Sequence, residues 1–575
     1  MLLTALKVKL AAMVAVAGLD TAQIDKLGDA TKGALETLEV QQKDDKIDKQ
    51  KAFTDAITAI KDASDKGDPS ASYVLAHWMT FGILQGAPAE QVLGLYKKAA
   101  DAGQLQAMSE LGALTLRGAQ DQAKAEEGIA LIKAASDKGE LGAMRAYAQI
   151  LIRGTNTLKA DPKAAEALLI AGSERKDSEA TLLLSQIYQS GIDQAGIAKD
   201  EKKALAMLDK AIEQGNATAM SLKAARLFNG DQVASGATPL VAKDPEAAIK
   251  MFKDAAEKGN AAANRLLGQI YESGQGIEKA DPEEAFKFYE KAAQGGDPQA
   301  LLRLGQAFQG GVGMPIGEKD KDGNQQVKVL VPVDPKRALD AFRMAAQAGV
   351  PQAFYAVGVY YETGTVVDKD PVKAFALLKR AADSGIPEAQ ARIAGFYQNG
   401  TGVTQDLIAA AGWYDRAAQS NYAPAHLALG NLYEAGLNAG GGGDNPANNS
   451  MAVAANHYNM AAEQGSAQAM VRLAGMYERG AATVKNEPDL VRALAYLMLA
   501  EFVSKDKQVT DVIAKLKEKM KPEQITDATK FFEPKKAALE AKIREANGGA
   551  AAAATPDAAS DAKGAAKGKG GKGTK

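Results

Sequence analysis

At 575 residues the chain is several times the size of one compact domain. Its 69 basic and 71 acidic residues nearly cancel, which excludes the basic excess of a nucleic-acid binder. The absence of cysteine excludes a disulfide framework, thiolate metal sites and cysteine nucleophiles, and the Ala-rich composition with only 6% aromatic residues favours helix.

The chain opens with Lys7 and Lys9 ahead of an apolar run, Leu10 to Ala17, that ends in Ala15-Val16-Ala17. Two readings fit: a signal peptide over residues 1–17, or an amphipathic first helix. The run is too short to span a bilayer, and no other stretch is longer, so no transmembrane segment is expected. Residues 18–48 read as a charged helical lead-in.

From residue 49 to 504 one phrase recurs. An Ala is followed eleven positions later by a Gly, as in Ala71/Gly82, Ala263/Gly274 and Ala469/Gly480, eleven times in all. Four positions before each Ala stands a turn residue, Gly in nine cases, with Lys176 and Asn421 as the others. The base period is 36 residues, and the longer spacings are insertions that fall after the closing Gly, as between Gly311 and Asp334. Such a period marks stacked supersecondary units.

Each unit reads as two helices. Helix A carries a core stripe at Ala and at four, five and eight positions beyond it. The fifth position is always small, as at Gly268, Gly305 and Gly430, which implies close approach of a neighbouring helix. The eleventh-position Gly is expected to close the helix in a left-handed conformation. Helix B opens on an acidic residue and Pro, as at Asp161-Pro162, Asp244-Pro245, Asp281-Pro282, Asp334-Pro335, Asp370-Pro371 and Glu487-Pro488, the chemistry of an N-cap followed by N1. One such pair cannot bury its apolar faces alone, so the units must stack.

Ala263-Asn264-Arg265-Leu266-Leu267-Gly268-Gln269-Ile270-Tyr271-Glu272-Ser273-Gly274, continued by Asp281-Pro282-Glu283-Glu284-Ala285, resembles the Sel-one-like repeat, a 36-residue relative of the tetratricopeptide repeat. The resemblance covers roughly residues 50 to 500. It implies an all-α fold, a right-handed α-solenoid of about eleven stacked helix pairs, and adaptor proteins of bacterial type that are often secreted. The disulfide-braced members of the family are not a guide to a chain without cysteine.

Two insertions stand out. Residues 312–333 alternate around Asp322-Gly323 and predict a small β-hairpin, on which a partner strand has room to dock. Gly440 to Gly443 forms a loop without the Lys and Ser/Thr of a phosphate-binding loop. Residues 505–547 read as a charged helical cap. Residues 548–575, almost only Ala, Gly and Lys, read as a disordered basic tail, either solubilising or in contact with an anionic surface.

No catalytic constellation is present. His426 and His457 lie where stacking could bring them together, but no third ligand accompanies them. Asp320, Asp322 and Asn324 lack the Gly and closing Glu of a calcium loop. No cofactor and no metal are expected, and the chain is not read as an enzyme.

In a concave helix-A face the polar positions form a ladder: Arg265, Gln269, Glu272, Arg303, Gln306, Gln309, Glu362, Arg392, Gln398, Asn431, Glu434 and Arg472. Amides and guanidinium groups so placed bind an extended peptide, or else form a hydrated surface of ordinary helix pairs. The leading expectation is a scaffold for other proteins or peptides in the periplasm or outside the cell, with the cytoplasm as the alternative location. A structural spacer without a specific partner and an envelope hydrolase are the competing readings.

Overall fold

The computed structural model describes residues 28–43, 48–84, 86–192, 196–231, 238–316, 326–437, 450–483 and 486–552. Among the described residues two helices come first, Asp29–Lys43, inside the stretch 18–48 read as a helical lead-in, and Lys49–Asp65. Eleven helix pairs follow. The first is Pro69–Thr80 with Ala89–Asp101, the sixth Ala261–Ser273 with Pro282–Gln294, and the eleventh Ala467–Glu478 with Leu490–Ser504. Lys507–Lys517 and Pro522–Ala552 end the described chain, so helix runs five residues into the segment read as a disordered tail. The fold is an all-α solenoid of helix-pair repeats.

The phrase residues explain the regularity. Ten of the eleven phrase alanines are 0% exposed and Ala180 is 1% exposed, so a larger side chain has nowhere to go. All eleven turn positions have positive φ, including Lys176 at 62° and Asn421 at 58°. The small fifth position faces the repeat's own helix B. A Cβ on Gly305 would stand 2.5 Å from the Phe342 ring, and one on Gly430 2.5 Å from the Tyr458 ring.

One hydrogen bond closes the loop between helix A and helix B in eight repeats. The backbone N–H of the helix-B cap residue donates to the carbonyl eight positions past the phrase Ala. Asp161 thus bonds Leu151 at 2.8 Å, Asp281 bonds Tyr271 at 2.7 Å, Asp334 bonds Phe308 at 2.7 Å, Asp370 bonds Tyr361 at 2.9 Å and Asp489 bonds Tyr477 at 2.9 Å. The bond is the same whether the loop is short or carries an insertion.

Three local expectations need correction. Gly118 has φ −89°, not a left-handed value. Gly154, Gly191 and Gly230 combine positive φ with ψ of 177°, 166° and 161°, an extended mirror conformation that turns the chain directly back toward helix B. In the last repeat Asp489, not Glu487, is the N-cap, because Pro488 lies one residue outside the helix.

Strands β1 (Val312–Ile316) and β2 (Gln326–Val331) pair antiparallel, with Gly313 opposite Val329 and Ile316 opposite Gln326. The predicted hairpin is therefore present. Its Asp322-Gly323 turn, the Asp320/Asp322/Asn324 group and the Gly440–Gly443 loop lie outside the described residues, as do residues 1–17 and 553–575.

The described residues group into two compact units. One lies within Met1–Leu267 and Lys291–Asp297, the other within Gly268–Glu290 and Pro298–Lys575. The first unit is anchored on Leu35, Leu38, Ile60, Tyr73, Trp78 and Tyr96 at its start, and on Leu169, Leu184 and Tyr188 further along. In the second, the two terminal helices add Val509, Ile513, Leu516, Phe532 and Leu539 to a core built on Tyr458, Leu473, Leu494 and Tyr496. They cover the apolar face that the last repeat would otherwise expose.

Candidate protein-binding surface

Eleven of the twelve ladder residues lie in the second unit; Arg265 lies in the first, 3.1 Å from Asp297. Within the second unit the charged rungs meet one another. Arg303 bonds Glu272, Arg392 Nη1 lies 2.6 Å from Glu362, and Arg472 lies 3.8 Å from Glu434. Each pair joins the third position of one helix A to the ninth position of the helix A before it.

Helix B completes the arrangement. The Tyr289 hydroxyl donates to Glu272 at 2.7 Å, and the Tyr458 hydroxyl meets Glu434 at 2.7 Å and Asn431 Oδ1 at 2.8 Å. These tyrosine rings occupy the space left by Gly268 and Gly430. Burial alone would raise the Glu272 carboxyl, but the bonds from Arg303 and Tyr289 outweigh it and hold the group below the usual carboxylate value. The same burial and bonding push the Tyr289 and Tyr458 phenols up.

Within the second unit, where the next repeat has no Arg at its third position, the ninth position is an amide. Gln309 precedes Ala356 and Gln398 precedes Ala428 in this register. Gln398 accepts the Tyr414 hydroxyl at 3.0 Å. Gln269, Gln306 and Gln309 are exposed. Gln306 and Gln309 have no side-chain hydrogen bond among the described residues, which leaves both amides open to a ligand.

The helix-B tyrosines were missed in the sequence reading. The signal for them was there: Glu at the ninth position occurs with Arg at the next third position, and Gln occurs without it. A cleft of about 320 Å³ opens beside the Glu362–Arg392 pair, lined also by Lys369, Asn399 and Thr401. Gly395, six positions past Ala389, lines this cleft without a side chain to fill it.

Among the described residues no three His, Cys, Asp or Glu side chains group as a metal site, and no helix is long and apolar enough to cross a membrane. His426 and His457 do meet, with Nδ1 atoms 3.1 Å apart.

The Sel1 repeat model matches residues 178–216, 234–260, 261–297, 329–350, 351–386, 387–422, 423–466 and 467–500. No curated protein matches the chain. A solved structure of c5321, a protective antigen of uropathogenic Escherichia coli with an SLR fold, is 20% identical with TM-score 0.52, and covers 90% of this chain and 99% of its own. A Sel1 repeat protein from Oxalobacter formigenes is 25% identical with TM-score 0.38, covering 60% of this chain and 92% of its own. The fold is shared with c5321, and eight matches to the Sel1 repeat model place this chain in the Sel1-like repeat family, whose members generally act as protein-interaction scaffolds.

Proposed function

We propose that the protein is a non-enzymatic scaffold that binds a partner protein or peptide along the helix-A surface of the second unit. The observation that carries this reading is the pair of exposed, unspent amides Gln306 and Gln309, beside exposed Gln269. Amide side chains on a fixed helical scaffold offer a donor and an acceptor to an extended peptide backbone. Glu272, Arg303, Glu362, Arg392, Glu434 and Arg472 frame that surface by holding successive repeats in register, and Asn431 accepts from the Tyr458 hydroxyl of its own repeat. Gln398 continues it, and Arg265 serves the first unit in the same way.

The test is recovery of partners on the immobilised full chain from an extract of its host. Gln306→Ala with Gln309→Ala should reduce the recovered partner at least about tenfold, the equivalent of roughly 1.4 kcal/mol, with unchanged helicity. Undiminished recovery refutes the surface, and no reproducible partner favours the spacer. An envelope or extracellular location is part of the proposal, on the strength of the Leu10–Ala17 run. A mature N-terminus at Gly18, read by mass spectrometry, tests it.

A further inference from the structure

Two of the three histidines of the chain meet inside the second unit. His426 lies on Ala423–Glu434 and His457 on Ser450–Glu463, the two helices of the tenth repeat. Their Nδ1 atoms are 3.1 Å apart and His426 is 4% exposed. The His457 ring is stacked on Tyr433, with centroids 5.8 Å apart and planes within 6°.

Nitrogens at that distance share one proton. One ring donates its Nδ1–H and the other must be neutral to accept it. The charged groups on the surrounding elements do not replace this bond. Asp415, on Leu407–Gln419, acts on both rings through space and favours their charged forms. Glu434, on the helix of His426, is taken up by the Tyr458 hydroxyl, Arg472 and Arg479. Glu463, on the helix of His457, accepts from Asn459 at 2.9 Å. From Ala467–Glu478, Arg472 turns to Glu434 and Glu478 meets Lys519.

We propose that the His426–His457 pair is an acid-sensitive latch: protonation of both rings removes their shared hydrogen bond, sets two cations in contact and parts the helices Ala423–Glu434 and Ser450–Glu463. Burial, and for His457 also the neighbouring His426, holds both rings below the ordinary histidine value, against the pull of Asp415. The open or unfolded form therefore binds protons more readily than the closed one. The latch is at full strength above the unfolded value of about 6.5 and weakens as pH falls below it. The latch stands whether or not the helix-A surface binds a partner.

The experiment is an NMR titration of the histidine ring protons of the full chain from pH 8 to 5, with amide hydrogen exchange over residues 423–463. Both rings should titrate below an unfolded-peptide histidine. Opening of these two helices, corrected for intrinsic exchange, should rise roughly tenfold for each unit by which a ring is depressed. In His457→Gln, which keeps a polar partner without titrating, that rise should shrink. If His457→Gln fails to fold, His426→Asn serves the same purpose. Titration at or above the unfolded value, or an identical exchange profile in the folded variant, overturns the latch.

Discussion

Arg392 Nη1 lies 2.6 Å from a carboxylate oxygen of Glu362, thirty residues earlier in the chain and in the preceding repeat. Arg392 also donates through Nε to the Tyr355 hydroxyl at 3.1 Å. A guanidinium held by two partners across a repeat boundary fixes the register between successive units. Both side chains are about one-third exposed, at 38% and 29%, so water screens the pair and its worth is modest. A double-mutant cycle with Glu362→Gln and Arg392→Met should give a coupling of about 0.5–1 kcal/mol in urea unfolding. Zero coupling would refute the register role.

The small fifth position makes a sharper prediction. Gly305→Ala drives a methyl into the Phe342 ring, which is 1% exposed and has no room to retreat. Overpacking of this kind costs about 1–3 kcal/mol. Gly412 lies inside Leu407–Gln419 with nothing within 4 Å of an added Cβ. Gly412→Ala should therefore stabilise by about 0.5–1 kcal/mol. Thermal midpoints of the two variants moving the same way would contradict the packing account.

Lys176 takes a turn position that is Gly in nine of the eleven repeats, and its φ is 62°. A side chain in the left-handed region costs about 1–2 kcal/mol, offset in part by the greater unfolded-state freedom of glycine. Lys176→Gly should raise stability by up to about 1 kcal/mol, read as a rise in thermal midpoint. A drop would mean that the lysine side chain contributes more than its backbone costs.

Acid should weaken the bonding of Glu272 to Arg303 and Tyr289 in a defined direction. The folded-state value of Glu272 lies below its ordinary one because Arg303 and Tyr289 overcome the effect of burial. Its contribution is thus present above the unfolded carboxylate value of about 4.3 and is lost as pH falls through the folded one. Glu272→Gln should flatten that part of the acid limb of the stability curve. An acid limb identical to that of the wild type would show that the carboxylate carries none of it.

Most of the fold was legible because local chemistry and global packing agree in every repeat. The buried Ala, the small fifth position and the turn residue recur at fixed offsets, and each offset reports one contact. The candidate surface was less legible. Arg303 and Arg392 read as ligand-facing cations because their partners lie about thirty residues away, beyond any local window. Comparing neighbouring repeats would have exposed the pairing, since Glu362 is matched by Arg392 whereas Gln398 faces Ala428 in the same register. The ψ values of Gly154, Gly191 and Gly230 were not legible, because they depend on where Ala160, Lys199 and Lys243 return beside them.

Loop length is the last consequence of the closing bond. Asp334 N–H donates to Phe308 O at 2.7 Å across the β1–β2 insertion, much as Asp370 donates to Tyr361 O at 2.9 Å across a short loop. The ends of the loop are thus fixed by the helix pair and not by what lies between them. Replacing residues 312–333 with the five residues 365–369 shortens the loop from 22 residues to five, which recovers about 1.3 kcal/mol of closure entropy. The loss is mainly Val331, 2% exposed, whose burial is worth about 1.5–3 kcal/mol. The two nearly cancel, so stability should change by less than about 2 kcal/mol. Helicity over Pro335–Gln347 should persist in hydrogen exchange. Asp334→Ala in the shortened chain removes the side-chain bond to Arg337 N–H at 3.0 Å and should cost about 1 kcal/mol more. If shortening alone melts Pro335–Gln347, the hairpin is part of the repeat and not an insertion hung on its closing bond.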